Sequence, residues 1–175
     1  NKSHWPVRMS SDQISDLTQP QRDRLAFIEL RVRFFGEIRR HDLVARFGIQ
    51  AAAATRDIAQ YKELAPRNVE YDTKGKVYIR ASWFRPLFDF SVERVLTWLS
   101  QGYGDSEPIR WKGLVAHEGS SLPNALDLEL LSVLTRAIYQ GAAVEVSYRA
   151  LSSGLTTREI VPFGLADSGL RWHVR

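Results

Sequence analysis

Apolar residues at Leu25, Ile28, Val32 and Phe35 fall at spacings of three, four and three, which predicts an amphipathic helix over 21–35. Pro20 stands at its start, where a missing N–H is harmless, and Gly36 ends it. A shorter helix is predicted from Arg39 or Arg40 to Phe47, with Leu43, Val44 and Phe47 inward and Gly48 after it. A third runs from Gln50 to Ala65, with Ile58, Tyr61 and Leu64 inward. Its Ala51–Ala54 run favours helix, and Pro66 stops it. Val69–Asp72 and Lys76–Ile79 then flank Lys74-Gly75, the pattern of a β-hairpin. Further helices are predicted over Val92–Leu99 and over Leu126–Tyr139, the latter with Leu130, Leu131, Leu134 and Ile138 inward. Residues 102–108 and 118–123 read as loops around an extended 109–116. From Ala143 the period becomes two, as a half-buried strand requires. Ala143–Arg149, Arg158–Phe163 and Leu170–Arg175 are the expected strands, with turns at 152–154 and 167–169.

Three helices with a glycine turn between the second and third, followed by a hairpin, have the order of a winged helix-turn-helix. The chain is therefore expected to be α+β, with an N-terminal segment at 1–20, a winged helix-turn-helix at 21–88, a helical linker at 89–141 and a β module from 142. The outer face of the third helix would enter the major groove through Gln50, Ala51, Thr55 and Arg56. Arg suits guanine, and Thr suits a thymine methyl or a phosphate. Lys74 and Lys76 at the hairpin tip would reach flanking phosphates, and Arg39 and Arg40 open the second helix at an anion-favouring N-terminus.

Charge strengthens this picture. Residues 1–80 hold 15 Lys and Arg against 10 Asp and Glu, whereas residues 81–175 hold 9 against 10, so the formal net charge of +4 arises in the first half. A basic module gains affinity for duplex DNA by releasing its counterions. With no cysteine, disulfides and thiolate metal sites are excluded. No apolar run is long enough for a membrane span, and no signal peptide is evident, which fits a cytoplasmic location.

Catalytic patterns are missing. The four histidines share no ligand spacing. Gly102-Tyr103-Gly104 completes neither a dinucleotide fingerprint nor a P-loop, and no Gly-x-Ser-x-Gly occurs. Glu118, Asp127 and Glu129 fit a solvated helix start better than an acid–base pair. The chain is expected to be neither an enzyme nor a holder of a cofactor or metal. Two other uses of a winged helix stay open at this point: a docking surface for protein partners, and an anchor for a nucleic-acid-processing enzyme.

Several segments resemble the WYL-domain winged-helix transcriptional regulators of the phage-defence-associated BrxR- and CapW-like type. They are residues 24–29, Asp42–Ile49, Thr55–Ile58, Tyr61–Pro66, Leu134–Ile138, Val146–Arg149 and Gly169–Arg175. The resemblance covers about residues 22–175. Of the family's name tripeptide only Trp172 is literal, within Trp172-His173-Val174. Gln50 stands where such helices usually carry a Ser or Thr cap.

The resemblance implies that 142–175 begins a small Sm/SH3-like β-barrel, the WYL domain. It implies a homodimer that represses its own defence operon at an inverted repeat and senses an oligonucleotide or nucleotide. It also implies further strands and a dimerisation domain, so the chain is expected to be part of a longer protein. Strand period separately puts Arg171, His173 and Arg175 on one face, a ready site for phosphate or carboxylate, which Ser147 could join. The resemblance assigns Ser147, Tyr148, Arg171, His173 and Arg175 to the ligand.

Overall fold

The computed structural model describes residues 14, 16–101, 115–116, 126–150, 154–167 and 172–175. The chain divides into two compact units, Asn1–Phe88 and Asp89–Arg175.

In the first unit, helix α1 spans Gln19–Phe35. Thr18 and Gln21 form a capping box: Gln21 Oε1 accepts from Thr18 N–H at 3.0 Å, and Thr18 Oγ1 accepts from Gln21 N–H at 3.4 Å. Gly36 closes the helix in the left-handed region, at φ 85°. Strand β1, Glu37–Ile38, follows at once. Helix α2 is Arg40–Phe47 and helix α3 is Ala51–Leu64. Gly48, at φ 64°, gives the left-handed step that turns the chain between them. The third helix is thus one residue shorter at each end than predicted, because Gln50 and Ala65 are its caps.

Strands β2, Val69–Asp72, and β3, Val77–Arg80, form the expected hairpin. The sheet has a third member, in the order β1-β3-β2. β1 escapes any period-2 reading because it is two residues long. Pairing with β3, Glu37 opposite Ile79 and Ile38 opposite Tyr78, is what makes it a strand.

The core lies between α1, α2, α3 and this sheet. Leu25, Ile28, Val32, Phe34, Ile38, Leu43, Ile58 and Tyr61 are fully or almost fully buried. Val44, Phe47 and Leu64, expected to face inward, are half-buried. Phe47 still packs edge-on against Phe27 at 5.5 Å.

In the second unit, helix α4 spans Val92–Gln101 and buries Val95, Leu96 and Leu99. Helix α5 is Leu128–Gln140, capped by Asp127, whose carboxylate accepts from Glu129 N–H at 2.8 Å. Leu131, Leu134 and Ala137 are buried. Leu130, expected inward, lies in the first turn and is 56% exposed. Ser132 and Thr135 take interior places instead. Their hydroxyls donate to the carbonyls of Glu129 and Ser132, which is how a hydroxyl survives in an apolar setting.

Strand β4 is Val115–Ala116, β5 is Val144–Ala150, β6 is Gly154–Ile160, β7 is Leu165–Asp167 and β8 is Trp172–Val174. The return strand was expected at Arg158–Phe163 and starts four residues earlier. Pairing sets it: every residue of β5 has a partner, from Val144 opposite Ile160 to Ala150 opposite Gly154. Pro162 consequently lies beyond the strand. The third predicted strand is β8, and it pairs with β7, which no alternation announces in three residues. β7 also pairs in parallel with β4.

These strands make two small open sheets, β5-β6 and β4-β7-β8. No closed barrel is present among the described residues. The loops at 102–108 and 118–123 and the first six residues of the extended 109–116 lie outside them. So do Ser152, Ser153, Ser168, Gly169, Leu170 and Arg171, and the side chain of Trp172.

Candidate nucleic-acid interface

One side of α3 is sealed and the other is open. Ala54, Asp57, Ile58 and Tyr61 are buried, while Ala51, Ala52, Thr55, Arg56, Ala59, Lys62 and Glu63 are exposed. At about 100° per residue these sets occupy opposite arcs of the helix. Four of the seven exposed positions carry no more than a methyl group or a short hydroxyl, so a groove floor can approach the backbone closely.

Buried polar groups hold the sealed side. Arg24 on α1 grips Asp57 with two hydrogen bonds, Nε to Oδ2 at 2.7 Å and Nη2 to Oδ1 at 3.2 Å. One turn on, the Tyr61 hydroxyl donates to Glu29 Oε2 at 2.9 Å and accepts from Asn68 Nδ2 at 3.0 Å. Glu29 is wholly buried. Its two oxygens also take the backbone N–H groups of Leu87 and Phe88, each at 2.8 Å. Asn68 pairs with both the N–H and the carbonyl of Arg85.

Burial pushes the Glu29 carboxyl up to about 7, against the pull of Phe88, Leu87, Tyr61 and the nearby Arg33 charge. Tyr61 rises well above its ordinary value, first through burial and then through the Glu29 charge. Sequence period marked Tyr61 only as apolar stripe and passed over Glu29, Asp57, Arg24 and Asn68. A carboxylate or guanidinium at a core-facing helical position, Glu29 beside Ile28 and Leu25, was the available signal.

All eight residues expected at DNA are exposed: Arg39, Arg40, Gln50, Ala51, Thr55, Arg56, Lys74 and Lys76. The side chains of Arg40, Gln50, Arg56, Lys74 and Lys76 have no hydrogen-bonding or ion-pair partner among the described residues. Gln50 occupies the N-cap with no side-chain bond to the helix, so the first-turn amides lack a side-chain cap. Thr55 Oγ1 donates to Ala51 O at 2.9 Å, which leaves its methyl for an outside partner. Arg39 differs from the rest, because its Nη1 donates to the Gly75 carbonyl at 2.8 Å. Lys62 joins this face, although it was not singled out in the sequence; its place on the helical arc with Ala51 and Thr55 was the signal.

The residues expected at a ligand fall in or next to two different sheets, and Arg171 lies outside the described residues. Ser147 and Tyr148 are successive residues of β5 on opposite faces of the β5-β6 hairpin, opposite Thr157 and Thr156. Tyr148 is exposed, with the Arg158 guanidinium 5.9 Å from its ring centre. His173 stands opposite Ala166 in the other sheet. Arg175 is tied there through its backbone, its N–H donating to Gly164 O at 2.9 Å. Among the described residues no group of His, Asp and Glu could hold a metal ion, and no helix is long and apolar enough to cross a membrane.

Comparison with known proteins agrees with the winged-helix fold of the first unit. Residues 20–101 match the family described as the BrxR transcriptional regulator winged helix-turn-helix domain. That span takes in α4 as well as the first unit from residue 20 onward. Relatives that carry the name DNA-binding transcriptional repressor CapW come from several bacteria. The one from Escherichia coli (strain KTE188) is 35% identical over 162 residues, covering 89% of this chain and 54% of the relative. The one from Pseudomonas aeruginosa is 36% identical over 164 residues, with the same 89% and 54% coverage. The one from Stenotrophomonas maltophilia is 31% identical over 175 residues, covering 95% and 58%. The chain thus spans about half the length of the curated relatives it matches. Within that span, residues 20–101 are similar to the BrxR winged helix-turn-helix domain, and the chain as a whole is similar to the relatives named as CapW repressors.

Proposed function

We propose that this chain binds duplex DNA as part of a transcriptional repressor, with the open side of α3 against base edges and the hairpin beside it as the wing. The observation that carries the reading is the pairing of a sealed inner face with an outer face of small residues and uncommitted cations. The relatives' printed names support it. Arg56 is the residue assigned to base contact, Gln50, Ala51 and Thr55 to the same groove, and Arg40, Lys74 and Lys76 to phosphates. In the finer reading, a cytoplasmic homodimer represses its own defence operon from an inverted repeat. A nucleotide or oligonucleotide at the region of Ser147, Tyr148, Arg171, His173 and Arg175 then relieves repression. For this last step the ligand must bind the two states of the dimer with different affinity.

Gel shifts at graded salt test the first part, using duplex from upstream of the protein's own coding sequence against mixed-sequence duplex. A bidentate Arg–guanine contact contributes about 1–3 kcal/mol, so Arg56→Ala is expected to weaken the specific complex by roughly 5- to 150-fold. It should affect mixed-sequence binding far less. Equal affinity of Arg56→Ala and the parent for the specific duplex would overturn the groove assignment.

A further inference from the structure

The start of α2 and the tip of the hairpin are joined by a single side chain. Arg39 is anchored at its backbone, where its N–H donates to Asp42 Oδ2 at 2.7 Å in the first turn of α2. Its guanidinium reaches across to the wing. Nη1 donates to Gly75 O at 2.8 Å, and Nε lies 3.8 Å from Glu37 Oε1 on β1. Residues 39 and 75 are 36 positions apart in sequence.

The tip that Arg39 holds is a restrained turn. Lys74 N–H donates to Asp72 Oδ1 at 2.9 Å. A Cβ on Gly75 would stand 2.7 Å from Asp72 Oδ2 and 3.0 Å from Val77 Cγ1, so a side chain there would have to displace the Asp72 carboxylate. Lys76 has φ 49°, in the left-handed region that disfavours a residue with a side chain. Such backbone persists only where the surroundings over-determine it. Here those surroundings are the β2-β3 pairing, the Asp72 turn and Arg39. Two exposed lysines, Lys74 and Lys76, flank the residue that Arg39 grips.

We propose that Arg39 is a positioning residue for nucleic-acid binding. It fixes the wing tip against the helix-turn-helix so that Lys74 and Lys76 meet the phosphates of one duplex together with α3, and it makes no phosphate contact of its own. This rests on the DNA-binding reading above. The physical advantage is preorganisation: a loop that must be ordered on binding loses affinity, and one already held does not. An arginine suits the task because its planar fork can serve a carbonyl and a carboxylate at once.

Phosphate contacts are independent of sequence, so a labelled mixed-sequence duplex of about 30 base pairs is a sufficient probe. Each phosphate contact adds about 0.9 to the slope of log affinity against log salt. The expected result is that Lys74→Ala and Lys76→Ala each flatten the slope by about 0.9. Arg39→Ala should weaken binding several-fold at every salt concentration with the slope unchanged. In addition, Lys76→Ala should matter less when Arg39 is already gone. A slope flattened by about 0.9 in Arg39→Ala would make Arg39 a phosphate contact and overturn the proposal, as would unchanged affinity. A readout without DNA separates this inference from the reading beneath it. Amide hydrogen exchange at 74–77 should quicken in Arg39→Ala, and unaltered exchange would overturn the tether. If the parent chain fails to bind the duplex, the DNA reading falls while exchange still decides whether the tether exists.

Discussion

Glu29→Gln is the perturbation that asks most of the first unit. Glu29 is a fully buried carboxyl that receives three hydrogen bonds, from Tyr61, Leu87 and Phe88. Burial nonetheless wins, and its pKa stands at about 7 against an ordinary 4.5. The folded protein therefore holds this proton more tightly than the unfolded chain does. Stability from this group is fully present below about pH 4.5 and is lost as the pH rises through 7. At 1.36 kcal/mol per pKa unit, the parent is expected to lose about 2–3 kcal/mol between pH 5 and pH 8 on account of Glu29 alone. Gln has nearly the same shape and does not titrate. Its amide nitrogen faces donors that formerly met an oxygen, a mismatch of about 1–3 kcal/mol. That mismatch does not vary with pH. Urea unfolding of both proteins, followed by circular dichroism at pH 5 and pH 8, isolates the term. The stability difference between parent and Glu29→Gln should be about 2–3 kcal/mol larger at pH 5 than at pH 8. A difference that stays constant within about half a kcal/mol would show that Glu29 titrates as an ordinary carboxylate, and the argument from burial would fail.

Two further substitutions follow from the geometry. Arg24→Ala leaves Asp57 buried without its partner and should destabilise the fold by about 3 kcal/mol in urea unfolding; Arg24→Met with Asp57→Leu should recover most of that loss yet still bind DNA more weakly than the parent. Gly48→Ala meets no atom within 4 Å, so only the left-handed backbone, φ 64°, opposes it. It should destabilise by about 1–2 kcal/mol, and a loss of more than about 3 kcal/mol by the same measurement would contradict a purely conformational penalty.

The helices and hairpin of the first unit were legible because each has strong punctuation. Gly36, Gly48 and Pro66 stop their helices, and Lys74-Gly75 turns the hairpin. The capping box is written as plainly, in Thr18 and Gln21 on either side of Pro20. β1 and β7 were not legible, since two or three residues cannot display a period and tertiary pairing alone creates them. The return strand β6 was shifted for a related reason. The expected Arg158–Phe163 runs through Val161 and Phe163, both of which are exposed, while pairing with β5 selects Gly154–Ile160. At the candidate site, the exposure of Ala51, Thr55 and Arg56 follows from the amphipathic period of α3, and that of Lys74 and Lys76 from the turn they occupy. What one sequence hides is commitment: Arg39 and Arg40 are adjacent and alike, and only the folded chain puts Gly75 against the first of them.

The inner face of α3 explains why exposure alone is not the whole of the interface. Ala54 and Ile58 offer a small, smooth apolar stripe, which could accept the helix at several rotations about its axis with little change in buried area. Asp57 and Tyr61 cannot. A bidentate guanidinium fork accepts its carboxylate in one orientation, and Tyr61 must reach Glu29 and Asn68 together. One position of Asp57 and one of Tyr61, four residues apart, fix the rotation of the rod. Arg56 and Thr55 immediately precede Asp57, so the same two bonds that hold Asp57 set the azimuth at which their side chains leave the helix. An apolar pair at 24 and 57 would keep the fold and release that angle. Loss of DNA affinity in the doubly substituted protein, with stability retained, is what distinguishes an orienting role from a merely cohesive one, and parent-like affinity would refute it.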